Sequence, residues 1–431
     1  MSDFLLKSKD RARDGIVWNM IGSIFNAFQS VIFLMILTRT VGIIEAGIFT
    51  IAFANANLFL NIGKYGVRNY QVSDVNNQYN FKEYLYLRWI TTFLMIIISI
   101  IYTLSMAYRN QYTFEKVWII IWMCFFKLVD SIEDVYIGEY QKKGRLDVGA
   151  KIMAVRMIFT IIVFGITVII TSSLLITLII STFITTAIEI LFIRKTYPYV
   201  GKSEEVIRKG KVEQLLITCF PVALSAFLSF YICNAPKYAI DTQLSDELQA
   251  CYGFISMPVF IIGLLNGFIF TPIIYRLSVI WDEKKVKVFI NHICTQTLMI
   301  IFITIICLVG ASVLGIPVLS LLYNTDLIPY KRELLILLIG GGFLGWSGIL
   351  NTVLTIMRRQ KAMMICYCIV SLMALLLSNK VVKEYNMTGA AVLYTGLVAI
   401  LCTSFLIVIV GEIYLVYKKE FKSSSRKYTS V

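Results

Sequence analysis

Charge is scarce in this 431-residue sequence: Asp, Glu, Lys and Arg make up 15% of it, where a soluble domain carries about 25%. There is one histidine, His292, at the start of an apolar segment, where it reads as an interfacial residue. The nine cysteines show no Cys-x-x-Cys spacing and no grouping with that histidine, so they read as small apolar packing residues rather than as a disulfide framework or metal site. No Walker motif is present, which excludes ATP hydrolysis by this chain. Gly340, Gly341, Gly342 and Gly345 lack the strand–loop–helix setting of a phosphate loop and read as allowing close packing or hinging. Neither a soluble catalytic domain nor an acid–base constellation on a large loop is present, so the chain is not read as an enzyme.

Apolar sequence fills the space that charge leaves. Hydrophobic residues make up 58%, and the mean hydropathy is +0.77. Between Arg156 and Glu189 lie 32 residues with no Asp, Glu, Lys or Arg, and between Lys287 and Asp326 lie 38. A helical span needs about 20. These solid runs lack the alternation of barrel strands. The chain is therefore expected to be an all-α polytopic membrane protein. Its spans are placed at about 15–38, 43–64, 86–107, 116–137, 150–170, 174–193, 214–235, 250–275, 289–313, 333–357, 362–382 and 388–410. The first of these is a full span rather than a cleavable signal.

The net charge of +14 is distributed unevenly. With twelve helices and both termini cytoplasmic, 31 of the 40 Lys and Arg fall on the cytoplasmic side and eight on the other, leaving Lys127 in mid-membrane. That asymmetry is the positive-inside rule. The basic excess orients the protein and meets anionic membrane lipids; it does not point to nucleic acid. The longest polar gap divides the chain into a six-helix lobe (1–195), a cytoplasmic linker (196–213), a second six-helix lobe (214–410) and a basic tail (411–431), disordered at its end. A doubled half is a common transporter plan, with the substrate site between the halves.

Polar residues inside the spans mark candidate function. Lys127, Asp130 and Asp134 stand at i, i+3 and i+7, on one helical face, with Glu133 beside them. A charge at that depth costs roughly 2.5–3.5 kcal/mol on insertion scales, so it faces a partner or a wet cavity. Two readings stand: a structural ion pair of Lys127 with Asp130 or Asp134, or a cation for an anionic substrate with a carboxylate binding H⁺ or Na⁺. The first span carries Asn19, Ser23, Asn26 and Ser30 in a stripe, and the second Asn57, Asn61, Lys64 and Arg68. Such stripes serve as interhelical glue or as a cavity wall that receives sugars and phosphate; Lys64 and Arg68 also suit snorkelling to headgroups. Pro221 marks a possible bend in the seventh span. At its outer end, Lys237 and Asp241 either pair or meet substrate.

Several segments resemble a known family. They are Glu45-Ala-Gly-Ile-Phe49, Tyr65-Gly-Val-Arg-Asn-Tyr-Gln-Val-Ser-Asp74, Asn234-Ala-Pro-Lys-Tyr-Ala-Ile-Asp241, Cys251-Tyr-Gly-Phe254, Thr271-Pro-Ile-Ile-Tyr-Arg-Leu277 and Met357-Arg-Arg-Gln-Lys361. Together they resemble Wzx-type polysaccharide (O-antigen or capsule) flippases of the multidrug/oligosaccharidyl-lipid/polysaccharide exporter superfamily. Lys237 stands where that family often has arginine. The resemblance implies two six-helix lobes in a V around a central cavity, and a polyprenyl-diphosphate-linked oligosaccharide as cargo. It places the protein in the cytoplasmic membrane, near an envelope polysaccharide polymerase and glycosyltransferases. Lys127, Lys64, Arg68 and Lys237 would then meet the diphosphate, Asn26, Asn57 and Asn61 the sugars, and Asp130 and Asp134 the coupling ion; no other cofactor is implied. A cation-coupled multidrug antiporter of the same fold is the alternative, and a non-transporting scaffold for glycosyltransferases is a third. A lipid II flippase is a near relative of the first reading, but the extra terminal helices and arginine-rich first helix expected of it are missing.

Overall fold

A computed structural model of the chain describes residues 2–74, 77–200, 206–270 and 273–428, with side chains withheld at 2–3, 200, 264–269, 275 and 416–428. It is all helical. In chain order the helices are α1 (Ser2–Leu6), α2 (Arg11–Thr40), α3 (Ile43–Lys64), α4 (Val67–Ser73), α5 (Phe81–Asn110), α6 (Phe114–Lys142), α7 (Leu146–Thr171) and α8 (Leu174–Val200). There follow α9 (Lys211–Gln243), α10 (Asp246–Ser256), α11 (Val259–Phe270), α12 (Ile274–Asp282), α13 (Val286–Gly310), α14 (Ile316–Tyr323), α15 (Lys331–Ile356) and α16 (Gln360–Tyr428). Nine helical stretches among the described residues are long and apolar enough to cross a membrane. They omit α6, whose charges lower its hydropathy, and the broken pair α10/α11, and they count α16 once. With α16 taken as two passes, the about twelve expected spans all find a helical counterpart.

The departures have local causes. The span expected at 250–275 is split after Ser256, because Pro258 has no N–H to continue the ladder. A wide π turn at Ala311–Gly315 joins α13 to α14 just before Pro317, the residue that cannot donate backward. In α9 neither Pro221 nor Pro236 interrupts the helix, which runs unbroken from Lys211 to Gln243. The last two passes are separated only at Asn386, where φ 49 and ψ −134 leave helical space. Helix α16 continues through Tyr428, so the expected tail is helical to that point; residues 429–431 lie outside the described residues, as do Thr271 and Pro272 of the family-like segment.

Two compact units share the chain: Met1–Phe230 with Leu244–Gly253 and Leu322–Asn324, and Tyr231–Gln243 with Phe254–Leu321 and Thr325–Val431. In the first, α2 lies along α7, and Phe33 stacks on Phe164 with ring centroids 3.7 Å apart while Phe49 meets both edge-on. Lipid tails are as apolar as leucine, so such helices associate through close packing and hydrogen bonds rather than hydrophobic burial. Small residues permit the close approach: a Cβ on Gly63 of α3 would stand 2.8 Å from Met95 Sδ and 2.9 Å from Ser131 Oγ. In the second unit, Gly340, Gly341 and Gly342 admit Tyr394 of α16, Val259 and Ile262 of α11, and Thr304 of α13. That is the close-packing reading of the glycine run. Beyond the packed interior, residues such as Phe93, Ile101 and Ile170 stay exposed, as a lipid-facing surface requires.

The described end of α1 is fastened to α7. Lys151 donates to the carbonyls of Phe4 (3.2 Å) and Lys7 (3.0 Å), Arg145 to that of Leu6 (2.6 Å), and Leu5 is buried. These carbonyls are among the groups that a helix C-terminus leaves unpaired.

The tightest glycine is Gly47, whose Cβ would strike the backbone carbonyl of Asp246. Gly47→Ala should lower the detergent melting temperature and the yield of inserted protein. Gly348→Ala, with open space around it, should leave both unchanged or slightly improved, by up to about 1 kcal/mol.

Candidate functional site: a buried charge network on α6

Lys127, Asp130, Glu133 and Asp134 of α6 all find partners, at two heights. Lys127, 2% exposed, donates to Asp130 Oδ2 (2.9 Å) and to Gln29 Oε1 of α2 (3.0 Å), with its Nζ 4.9 Å from the Phe53 ring centroid. Arg156 of α7, also 2% exposed, reaches across to α6: Nη2 donates to Asp130 Oδ1 (2.8 Å) and Glu133 Oε2 (2.6 Å), and Nε to Glu133 Oε1 (2.9 Å). Glu189 of α8 stands 3.7 Å from Arg156 Nε. The bidentate fork on Glu133 is the strong geometry for a guanidinium and a carboxylate. Asp130 thus bridges Lys127 and Arg156.

Asp134 belongs to a second group. Seven residues on, it shares the face of Lys127 but lies about 10 Å along the axis at 1.5 Å per residue, beyond pairing distance. Fully buried Arg88 of α5 donates to Asp134 Oδ2 (2.7 Å) and to the carbonyl of Gly63 (2.9 Å). That carbonyl is one of the unpaired acceptors at the end of α3, and Thr91 also donates to it (2.8 Å). Here α3 gives way to α4 through Tyr65 and Gly66, both in left-handed conformation (φ 49 and 65). The turn swings Arg68 to within 3.7 Å of Asp134 and lets it donate to Gln141 Oε1 (3.0 Å). Arg88 therefore ties α3, α5 and α6 at one point.

Of the residues proposed for substrate or ion, the structure brings Lys127, Asp130, Asp134 and Arg68 into ion pairs. Lys64, in the last turn of α3, is half-buried and has no ion pair or hydrogen bond among the described residues. It lies close enough to act electrostatically on Lys127 and Asp130. Asn57 and Asn61 donate back to the carbonyls of Phe53 and Asn57. Asn26 is exposed, while its neighbour Gln29 is buried and holds Lys127. In the second unit, Lys237 is half-buried with no ion pair or hydrogen bond among the described residues; the i, i+4 pairing with Asp241 does not form. Gln29, Arg88, Arg156 and Glu189 are members that the sequence reading did not assign.

A polar pocket of about 860 Å³ opens near the loop between α4 and α5, lined by Asp74, Tyr79, Glu139, Lys142, Lys143 and Arg208. Its cations are covered by Asp74, Glu139 and Glu83. Burial pushes the Asp74 carboxyl up, yet the N–H groups of Gln78 and Tyr79, the Tyr84 hydroxyl and Lys142 outweigh it and hold it below its ordinary value. A cleft of about 320 Å³ in the second unit, by Thr297, Phe343 and Trp346, is apolar and offers no cation.

Removing one member of a buried pair strands the other, at about 3–5 kcal/mol. Arg156→Met should therefore lower thermal stability in detergent strongly, and Arg156→Met with Glu133→Gln should recover much of the loss, since Asp130 keeps Lys127. The Asp74 contribution carries the opposite pH sense from a histidine. Its folded pKa is depressed, so its stabilisation is complete above the unfolded value, about 4, and fades as pH falls through the folded one. Asp74→Asn should flatten the slope of stability against pH below about 4, read from melting curves.

No family model matches the chain, and no curated protein matches it. Among solved structures it is similar to an inward-facing conformation of a multidrug resistance MATE family transporter of the MOP superfamily, at TM-score 0.66 and 12% identity, covering 95% of this chain and 99% of that one. It is similar also to the lipid II flippase MurJ in an inward closed conformation, at TM-score 0.65 and 15% identity over 96% of this chain and 93% of that one. A eukaryotic MATE transporter, AtDTX14, gives TM-score 0.61 and 11% identity, over 95% and 97% of the two chains. At such identities the likeness is one of fold: this chain is a multi-pass membrane protein with the fold of MOP superfamily transporters.

Proposed function

We propose that the chain is a flippase that carries a polyprenyl-diphosphate-linked oligosaccharide from the inner to the outer leaflet of the cytoplasmic membrane, for envelope polysaccharide synthesis. The carrying observation is the sign of what the network leaves over. Asp130, Glu133, Asp134 and Glu189 each lie within 3.7 Å of an arginine or lysine, so a cationic drug finds no bare carboxylate there. Lys64 and Lys237 are half-buried cations with no ion pair or hydrogen bond among the described residues, as an anionic diphosphate requires. Lys127 and Arg68, already paired, hold the bundle rather than the cargo; Asn57 and Asn61 donate to carbonyls of their own helix and keep their amide oxygens for sugar hydroxyls. The basic excess orients both termini to the cytoplasm, where such a cargo is made. An envelope polymerase and glycosyltransferases are the partners that this role implies.

A cation-coupled multidrug antiporter is the second reading, favoured by the MATE transporters among the fold neighbours. Proteoliposomes separate the two. The flippase should transfer a labelled polyprenyl-diphosphate oligosaccharide. Lys64→Gln or Lys237→Gln should weaken its apparent affinity roughly ten- to hundred-fold, the loss of one charged hydrogen bond. Efflux of a cationic dye with no transfer of the lipid-linked sugar would sink the flippase reading.

A further inference from the structure

Glu189 differs from every other carboxylate in the network. It is 3% exposed, and neither of its oxygens accepts a hydrogen bond among the described residues. Around it stand Arg156 from α7, and Asp130 and Glu133 from α6, with Tyr136 and Tyr140 of the same helix acting at longer range. From α1, Leu5 packs beside Ile188 and Phe192. Lys64 on α3 faces Asp130 and Lys127 rather than Glu189.

The charges here close without it. Lys127 and Arg156 are balanced by Asp130 and Glu133, and the Nε–H of Arg156 is already given to Glu133 at 2.9 Å. A third negative charge with no hydrogen bond, in a low-dielectric interior, is the costliest state available to a carboxyl group; such a group neutralises instead. A metal ion is a poor occupant. Glu189 offers two oxygens, and a guanidinium nitrogen lies 3.7 Å from one of them.

We propose that Glu189 is a proton-binding site, protonated in the arrangement seen here and ionised only when Arg156 turns from Glu133 on α6 toward α8. The O–H bond of the carboxyl breaks, its proton passes to water, and the charge left behind takes the guanidinium in place of Glu133. Proton release and the Arg156–Glu133 fork are thereby exclusive, while Asp130 remains within reach of Arg156 on α6. This deepens the transport reading by placing a coupling proton, and rests on that reading only for its use.

Infrared difference spectra of the full chain in lipid nanodiscs test it without any substrate. At neutral pH, wild-type minus Glu189→Gln should show the carbonyl stretch of a protonated carboxyl, unchanged when sodium replaces potassium. Glu133→Gln, which frees Arg156, should shift the disappearance of that band to lower pH. The band's absence, its removal by sodium at constant pH, or its indifference to Glu133→Gln would each overturn the proposal. So would a Glu189→Gln variant that fails to insert, because a neutral amide should replace a neutral acid without loss. Failure of oligosaccharide transfer leaves these spectra untouched and bears on the flippase reading alone.

Discussion

The fork of Arg156 on Glu133 and Asp130 is the contact around which the first unit is organised. It joins α6 to α7, with Glu189 of α8 at its edge, and through Asp130 it fixes Lys127, which in turn holds Gln29 of α2. Four helices thus meet at one group of side chains. In a bilayer a bare charge has no water to retreat to, so each member depends on the others being in place. Replacing the whole set by apolar residues would cost little by comparison; breaking it singly costs much. A bundle built this way has few intermediate arrangements. It is either closed on its charges or it has exchanged one partner for another.

Much of the fold was legible because apolar runs of span length leave little choice. Helix boundaries followed where loops are short: Ser172 and Ser173 alone lie between α7 and α8. The site was legible in half. Lys127 announced a buried charge, and the pair with Asp130 follows from i, i+3 spacing. Its remaining partners did not, because they come from three other helices. Arg156 and Glu189 were in plain view as the ends of a charge-free run. Their meeting depends on α7 and α8 being antiparallel and joined by two residues, which puts the start of one beside the end of the other. Asp134 was grouped with Lys127 by angle alone; height along the axis separates them. Arg88 was hidden by its place near the start of a span, where a basic residue ordinarily reads as a headgroup anchor.

Lys64 ends a stripe whose asparagines bond within their own helix. Asn57 and Asn61 use their amide nitrogens on the helix's own carbonyls, a local bond that competes with none of the interhelical ones. The lysine at the end of that row meets the C-terminal dipole of α3 and forms no ion pair among the described residues. A site for an anion needs a cation that is held but not satisfied, and a helix end supplies that condition.

The seat of α1 carries a consequence for synthesis. The carbonyls of Phe4, Leu6 and Lys7 are claimed by Arg145 and Lys151, which leave the ribosome well over a hundred residues later. Four earlier helical crossings have to enter the bilayer before that clasp exists. The clasp on α1 therefore cannot form until about a third of the 431 residues has been made, and its docking marks the moment when the fifth crossing has arrived in register.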